Sequence, residues 1–503
     1  MAALDEIRDG DGSWPPEDHV DRIETQEDHQ TLYRNRTGEL VQRWSADLLR
    51  YAGRDEDLVA YPSGKIAART LAAFLFGEDP TFTHDDPGVD DALSRLSASQ
   101  SLPSRLLEGA VTQAVQGEVY LRPAWDADLN PWAIVTTIPG RQVIPTFRFG
   151  MLVDAAIVTT WEPDSKGSQT YWRLFEQHER GRIRYAAYKG TADRVGRPRP
   201  LDDPAAPRPI RDLARIVTQG EAGEGVTDTG IDELLVTHVP LGRDGEGAHG
   251  VSLFDGLESL ILAMHRLYSQ EQHDAELSRK RIAVAESLLG RTANGRPIFD
   301  RSIDLLPLTE DAIGSVGDEG RPVHPIEFSD DNAMRDRIGG RFRDFLIACG
   351  ISPDTLDAQD TGQAISGTSR RLAQAMTIQT TTAAGRYWQD ALARTLALSL
   401  MVSEIHLGAS DLISKLDTLP TVTLADGLVD DPAELARIIG DLDTAEAIST
   451  VQKVRKLHPE WSDKEVDEEV DRILERSPNA PPPPPIAAVG QAVADDDASL
   501  RAV

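Results

Sequence analysis

Residues 251–285 read VSLFDGLESLILAMHRLYSQEQHDAELSRKRIAVA, with no proline and, after Gly256, no glycine. Leu253, Leu257, Leu260, Ile261, Met264, Leu267 and Tyr268 recur at steps of three and four, the period of an α-helix. The first half carries a broad apolar stripe. From Gln270 to Arg281 only Ala275 and Leu277 interrupt a polar surface. The spacing predicts one helix over 251–285, roughly 50 Å long at the usual rise per residue and longer than most helices of globular domains. A compact monomer has little use for a rod with one wet half. A ring of subunits does, because neighbouring rods bury each other's flanks and leave a polar face on a central channel. Along that half the acids Glu271, Asp274 and Glu276 precede the bases Arg279, Lys280 and Arg281. The order suits the helix dipole and permits ion pairs between rods; in an isolated helix it is simply a solvated face.

Downstream, 286–328 has turn signals (Asn294-Gly295, Gly317, Gly320-Arg321-Pro322) between short apolar runs. Ser329 and Asp330 can cap a helix with Ile338, Phe342, Phe345 and Leu346 on its apolar side. GISPDTLDAQDTGQAISGTS from Gly350 reads as a loop. A second very long helix is predicted over 366–407, with Trp388, Leu392, Leu396 and Leu400 among its landmarks and a bend near Gly385. Farther on, Pro432 sits where a helix begins. Asp443 with Glu446 and Ser462 with Glu465 have capping-box spacing. The proline run and acidic end over 477–503 predict a disordered tail.

Upstream, residues 1–29 read as acidic and irregular, and 29–50 as one helix. Further helices are expected from Pro62 to a Gly77 cap, near 89–99 and over 103–116. From Gly117 the text turns to β-branched and aromatic runs punctuated by turns, predicting an antiparallel sheet that ends near Gly190. Residues 191–230 read as loop, and Glu233–Leu241 as one more strand. The fold class is α+β.

The chain has 503 residues and a formal net charge of −31. That balance argues against a generally basic nucleic-acid binder, since phosphate neutralisation needs clustered Lys and Arg; it is compatible with a surface along which DNA passes without being gripped. Only 8 of the 52 basic residues are Lys. A lone cysteine, Cys349, excludes an intrachain disulfide. The acidic, polar start and the short apolar runs predict no signal peptide and no membrane span, hence a soluble protein of a reducing compartment.

No catalytic set emerges. Gly245-Glu246-Gly247-Ala248-His249-Gly250 matches GxGxxG, follows a strand-like run and precedes the long helix. However, Asp244 and Glu246 would crowd a pyrophosphate, and no acidic strand end follows at the required distance. There is no P-loop, HExxH or GxSxG. His265 and His273 read as helix-surface or interface residues, and Cys349 as a small buried one. No cofactor and no metal are expected, and the chain is not expected to be an enzyme.

The order of elements resembles that of tailed-bacteriophage portal proteins, in the broad family that includes portals of long-tailed phages of Gram-positive hosts. AYPSGKIAARTLAAFLFGEDPTF (Ala60–Phe82) resembles the family's N-terminal helix, and AVQGEVYLRPAWD (Ala114–Asp126) its lead into the wing sheet. GVSLFDGLESLILAMHRLYS (Gly250–Ser269) resembles the first stem helix. GISPDTLDAQDTGQAISGTSRRL (Gly350–Leu372) resembles the tunnel loop and the helix after it.

The resemblance implies a wing over 30–250, stem helices over 251–285 and 329–348, and a clip over 286–328. It also implies a tunnel loop with a long bent helix over 349–410 and a helical crown over 411–476. The expected stem interface is Leu257, Leu260, Ile261, Met264, Leu267 and Tyr268. Glu271, Asp274, Glu276, Arg279, Lys280 and Arg281 become stem channel charges. Asp354, Thr355, Asp357, Gln359, Asp360, Thr361 and Gln363 become DNA-facing loop residues. The implied assembly is a ring of about twelve copies at one capsid vertex of a virion, made in the host bacterial cytoplasm. Its implied partners are the terminase large subunit, a head-to-tail adaptor, capsid and scaffold proteins, and double-stranded DNA passing non-specifically. The competing readings are a nucleotide-binding enzyme using Gly245–Gly250 and another ring-forming virion component.

Overall fold

The computed structural model describes residues 4–5, 7, 12–52, 58–162, 169–219, 223–243, 245, 247–277, 281–285, 305–308, 323–326, 333–356, 373–425, 432–445, 447–458 and 463–476. The chain divides into two units, residues 1–361 with 372–428 and residues 362–371 with 429–503.

The larger unit opens with helices α1 (Val20–Arg34) and α2 (Thr37–Ala52). The single helix expected over 29–50 is therefore two. Asn35 closes α1 in the left-handed region at φ 56°, which Asn tolerates better than most residues. Part of the stretch expected to be irregular is also helical, with Ile23, Gln26 and His29 buried. Helices α3 (Ser63–Phe76), α4 (Pro87–Ala98) and α5 (Leu102–Gln116) follow. Asp86 caps α4, its Oδ1 accepting from the amides of Gly88 at 2.8 Å and Val89 at 3.1 Å.

After the short strand β1 (Thr81–Thr83) come β2 (Glu118–Ala124), β3 (Ile134–Pro139), β4 (Val143–Arg148), β5 (Met151–Trp161), β6 (Tyr171–Glu179) and β7 (Arg182–Gly190). The sheet does not stop at Gly190. β8 (Arg197–Arg199), β9 (Thr218–Gln219) and β10 (Gly225–Asp228) extend it, with the short helix α6 (Arg208–Leu213) between them. The order is β4-β5-β6-β7-β10-β9, with β8 on β7, and every pairing is antiparallel. Strand β11 (Thr237–Pro240) joins β2 and β3 in a separate antiparallel sheet.

The stretch 251–285 is not one rod. Residues 251–257 form turns, α7 runs over Glu258–Leu277, and Arg281–Ala285 is strand β12. The turns are instead tied to the end of α5. Leu253 N donates to Ala114 O at 3.0 Å, and Ser252 Oγ donates to Val115 O at 2.7 Å. They satisfy carbonyls left free at the end of α5. β12 pairs parallel with β13 (Leu305–Leu308) and antiparallel with β14 (Val323–Ile326). Helix α8 covers Ala333–Ala348, and α9 runs continuously through Gly385 over Ala375–Leu407. There a Cβ would lie 3.3 Å from Leu424 Cδ1, so the glycine permits close packing within an unbroken helix.

Helices α1 to α5 and α7 to α9 share one core with β2, β3 and β11. At its centre Trp388 is fully buried. Its Nε1 donates to Gln113 Oε1 at 2.8 Å, and Gln113 Nε2 donates in turn to Pro240 O at 3.0 Å, joining α9, α5 and β11. The smaller unit holds α10 (Pro432–Thr444), α11 (Thr450–Leu457) and α12 (Asp463–Arg476), with Val454, Val466 and Val470 buried together. The cap of α11 is Ser449, accepting from Gln452 N at 3.3 Å, rather than Asp443, which lies inside α10. Ser329, Asp330, Ser462 and the 477–503 tail lie outside the described residues.

Trp388→Ala removes the ring and leaves the Gln113 amide oxygen without its donor. It should lower the unfolding free energy of the larger unit by about 3–5 kcal/mol, read by urea denaturation followed by circular dichroism.

Candidate functional site

Helix α7 is apolar on two sides. Its inner side is spent on the chain's own core, where Ile261, Leu262, Met264 and His265 are buried. His265 Nδ1 accepts from Tyr61 N at 3.0 Å, and burial lowers its pKa to about 4. Ser269 Oγ accepts from Val59 N at 3.0 Å. Tyr61 meets Tyr268 and Phe342 edge-on, seating α7 and α8 against the chain that leads into α3. Arg335 Nε of α8 donates to Glu271 Oε1 of α7 at 3.0 Å.

The outer side is different. Leu260, Ala263 and Leu267, with Ser259, Arg266, Gln270 and Arg341 of α8, line a groove of about 490 Å³. These apolar side chains are half-buried. Beside them α8 shows exposed Arg335, Arg337, Arg341 and Arg343, and Gly339 and Gly340 with open space where a Cβ would stand.

The approach to α7 is held by a buried charge. Glu118, the first residue of β2, is fully buried. Its carboxylate accepts from Arg22 Nη1 at 3.0 Å, Gln26 Nε2 at 3.3 Å, His238 Nε2 at 2.9 Å, His249 Nδ1 at 3.2 Å and Gly250 N at 3.3 Å. Arg22 also donates to Gly140 O at 2.9 Å and Val143 O at 2.7 Å. Burial alone would raise the Glu118 pKa; the hydrogen bonds from His238 and His249 and the Arg22 charge outweigh it and hold the group well below the usual carboxylate range. Burial lowers the pKa of His238 although the carboxylate beside it favours the cation. His238 is therefore a neutral donor, and Arg22 is the counter-ion. One turn further along α1, His29 Nε2 lies 2.7 Å from Oε1 of Glu258, the first residue of α7.

This geometry rules on the glycine-rich loop. β11 is an antiparallel strand rather than the first strand of a parallel crossover, and the helix begins eight residues past Gly250. The Gly250 amide and the His249 ring are taken by Glu118, a negative charge where a pyrophosphate would sit. Gly250 is needed for another reason: a Cβ there would lie 2.0 Å from Gly117 O, so the two glycines let the chain cross itself. The nucleotide-binding alternative is set aside.

Of the expected stem interface, Leu260 and Leu267 line the outer groove, whereas Ile261 and Met264 are fully buried in their own core and unavailable to a neighbour. Leu257 and Leu260 also pack on that core, Leu260 with one flank left to the groove, and Tyr268 packs on Tyr61. Glu271 is paired with Arg335 rather than free. The side chains of Asp274, Glu276 and Arg281, and all of Arg279 and Lys280, lie outside the described residues; Arg281 belongs to β12 rather than to the helix.

Of the expected loop residues, Asp354 is exposed, and Thr355 Oγ1 is tied to Thr377 Oγ1 at 2.9 Å. Asp357, Gln359, Asp360, Thr361 and Gln363 lie outside the described residues. The loop's root is clamped to α9 by Ser352 N to Thr377 Oγ1 at 2.9 Å and Thr380 Oγ1 to Gly350 O at 2.8 Å. Cys349 is buried, and burial pushes its thiol up to about 12, the opposite of an activated nucleophile. His265 is buried while His273 is exposed. Among the described residues, no His, Cys, Asp and Glu set could hold a metal ion, and no helix is long and apolar enough to cross a membrane.

No protein-family model matches the chain, and no curated protein does. Among solved structures it is similar to a chain in the neck of an empty gene transfer agent particle, computed with sixfold symmetry. That match has a TM-score of 0.43 and 12% identity, over 84% of this chain and 93% of that one. A chain of the virion of a native gene transfer agent particle has a TM-score of 0.43 and 12% identity, over 90% and 97%. A chain in the neck of a native particle, computed with twelvefold symmetry, has a TM-score of 0.40 and 14% identity, over 90% and 97%. A likeness this distant carries no argument about activity or partners.

Glu118→Gln keeps the shape and removes the charge, leaving the buried Arg22 guanidinium without its counter-ion. It should cost about 3–5 kcal/mol at pH 7. The pH dependence separates two causes. The folded pKa values of His265 and His19 are both about 4, so the unfolded chain binds more protons between pH 6.5 and 4, and stability falls across that window in both proteins, by about 3 kcal/mol at most for each histidine. The folded pKa of Glu118 is depressed, so its contribution is present above the ordinary carboxylate value and is lost as pH falls below it. That further fall should be smaller in Glu118→Gln, where Glu176, whose burial is outweighed by the Arg122 charge and the His178 hydrogen bond that hold it at about 2, still contributes. Urea titrations from pH 7 to 3 read both.

Proposed function

We propose that this chain is the portal subunit of a tailed-phage-like particle. Copies form a ring at one capsid vertex, double-stranded DNA passes through its centre during packaging and ejection, and terminase and a head-to-tail adaptor dock on it. The observation that carries this reading is the second apolar side of α7. A helix whose inner side is already in a core does not need Ala263 and Leu267 on its outer side, lining an open groove beside the free flank of Leu260. In a ring that groove is filled by the neighbouring copy through a head-to-tail contact that closes by rotation.

Other features support the reading. The resemblance to portals places a stem where α7 and α8 lie, a clip where β12, β13 and β14 lie, and a crown where α10 to α12 lie. The net charge of −31 suits a wall that DNA slides past. The root of the expected tunnel loop is fastened to α9 by three threonines, Thr355 pairing with Thr377 and Thr380 holding Gly350.

Leu267→Asp should abolish rings in negative-stain images while shifting the melting temperature by only a few degrees; Leu260→Asp should abolish them with a larger fall, because Leu260 also packs on the core. Met264→Asp should instead lower the melting temperature sharply, because it puts a charge in the core. Rings of wild-type size from both Leu260→Asp and Leu267→Asp would overturn the placement of the interface.

A further inference from the structure

Where the two sheets meet α9, a cleft of about 310 Å³ opens between the start of β5, the turn from β6 to β7, strand β11 and the middle of α9. Three guanidiniums line it. Arg180 comes from the turn, Arg243 from just past β11 and Arg394 from α9. Tyr387, Asp390 and Arg394 follow at steps of three and four, so one face of α9 forms that wall. The three arginines are far apart in the chain, and only the fold gathers them.

Glu233 and Asp390 line the same cleft. Bases therefore exceed acids there by one, in a chain whose acids exceed its bases by 31. None of the five charges is spent. Among the described residues, the side chains of Arg180, Arg243 and Arg394 make no ion pair and no hydrogen bond, and neither carboxylate accepts one. Other surface arginines behave differently: Arg36 sits on Glu39, Arg95 on Asp91 and Arg208 on Asp212. Beside Arg180 the one acid of the hairpin end, Glu179, is taken by Arg182 and Arg184.

Three like charges gathered in one cleft repel each other, and an anion that enters relieves the repulsion. A guanidinium is a planar fork of donors that keeps its proton and matches two oxygens of a phosphate at once. Forks arriving from three elements suit a tetrahedral oxyanion, whose oxygens point in several directions, better than a planar carboxylate. With Glu233 and Asp390 in the lining, the positive excess serves one compact anionic group rather than a long run of them.

We propose that this cleft binds a phosphate group through Arg180, Arg243 and Arg394. The group is one phosphate of a DNA backbone or a free phosphate ion; the contacts are the same, and the experiment separates the sources. The site is complete within one copy, so it stands or falls apart from the ring reading.

Calorimetry on the intact wild-type chain tests it, with sodium phosphate and a short DNA duplex as separate titrants in low salt. At least one of them should bind saturably. Arg180→Ala and Arg394→Ala should each weaken that binding about tenfold or more. Arg95→Ala, which removes the same charge elsewhere, should leave it unchanged. All three side chains are exposed, so the variants should melt as the wild type does. Binding of the phosphate ion makes the ligand a free phosphate. Binding of the duplex alone assigns the site to a DNA backbone, and Arg394→Ala should then lower the slope of log K against log salt by about 1. Neither titrant binding, both cleft variants binding like the wild type, or a glutamate-rich peptide binding more tightly than either titrant would overturn the site.

Discussion

A carboxylate with no access to water stays charged only where donors meet it. Five donors converge on Glu118: a guanidinium, a side-chain amide, two imidazoles and a backbone amide. They come from α1, β11 and the loop before α7, and Arg22 extends the set to the turn before β4. The smaller sheet, the larger sheet and the path into α7 are therefore referred to one point. Removing any donor leaves the others around a poorly compensated charge, so the arrangement is specified as a whole. The crossing of Gly117 and Gly250, which have no Cβ to obstruct it, brings the loop close enough for that to happen.

From that anchor α7 leaves with its first carboxylate held by His29 and its inner side locked by Ile261, Met264, His265 and Ser269. The order matters for function. A helix meant to present a second apolar side to a neighbour must be kept from rolling, or the two sides exchange. Tyr61 between Tyr268 and Phe342, and Arg335 on Glu271, restrain that rotation at successive turns. The groove of Leu260, Ala263 and Leu267 is then presented at a defined angle.

Local signals in the sequence were sufficient where structure is decided locally. Gly77 after α3, Pro103 in the first turn of α5 and the β-branched and aromatic runs from Val119 to Tyr188 mark their elements correctly. They were insufficient where a distant partner decides. Residues 251–257 have helical spacing, but the Leu253 amide and the Ser252 hydroxyl tie them to the end of α5. Arg281–Ala285 continues an apolar pattern, but it pairs with strands more than twenty residues away. Met264 and Leu267 are large apolar residues one turn apart, and only packing shows that Met264 faces inward and Leu267 lines the outer groove. The Glu118 cluster joins residues 92 to 132 positions apart from it in sequence. Its only trace in the text is a charged residue directly before the apolar run Val119–Leu121.

The central claim is that copies of this chain close into a ring through the outward side of α7. Light scattering behind a sizing column, with negative-stain images of the peak, tests it most directly on the intact wild-type chain. The account predicts one species of about twelve copies with a central hole. A single copy at every concentration, up to the limit of solubility, would contradict it.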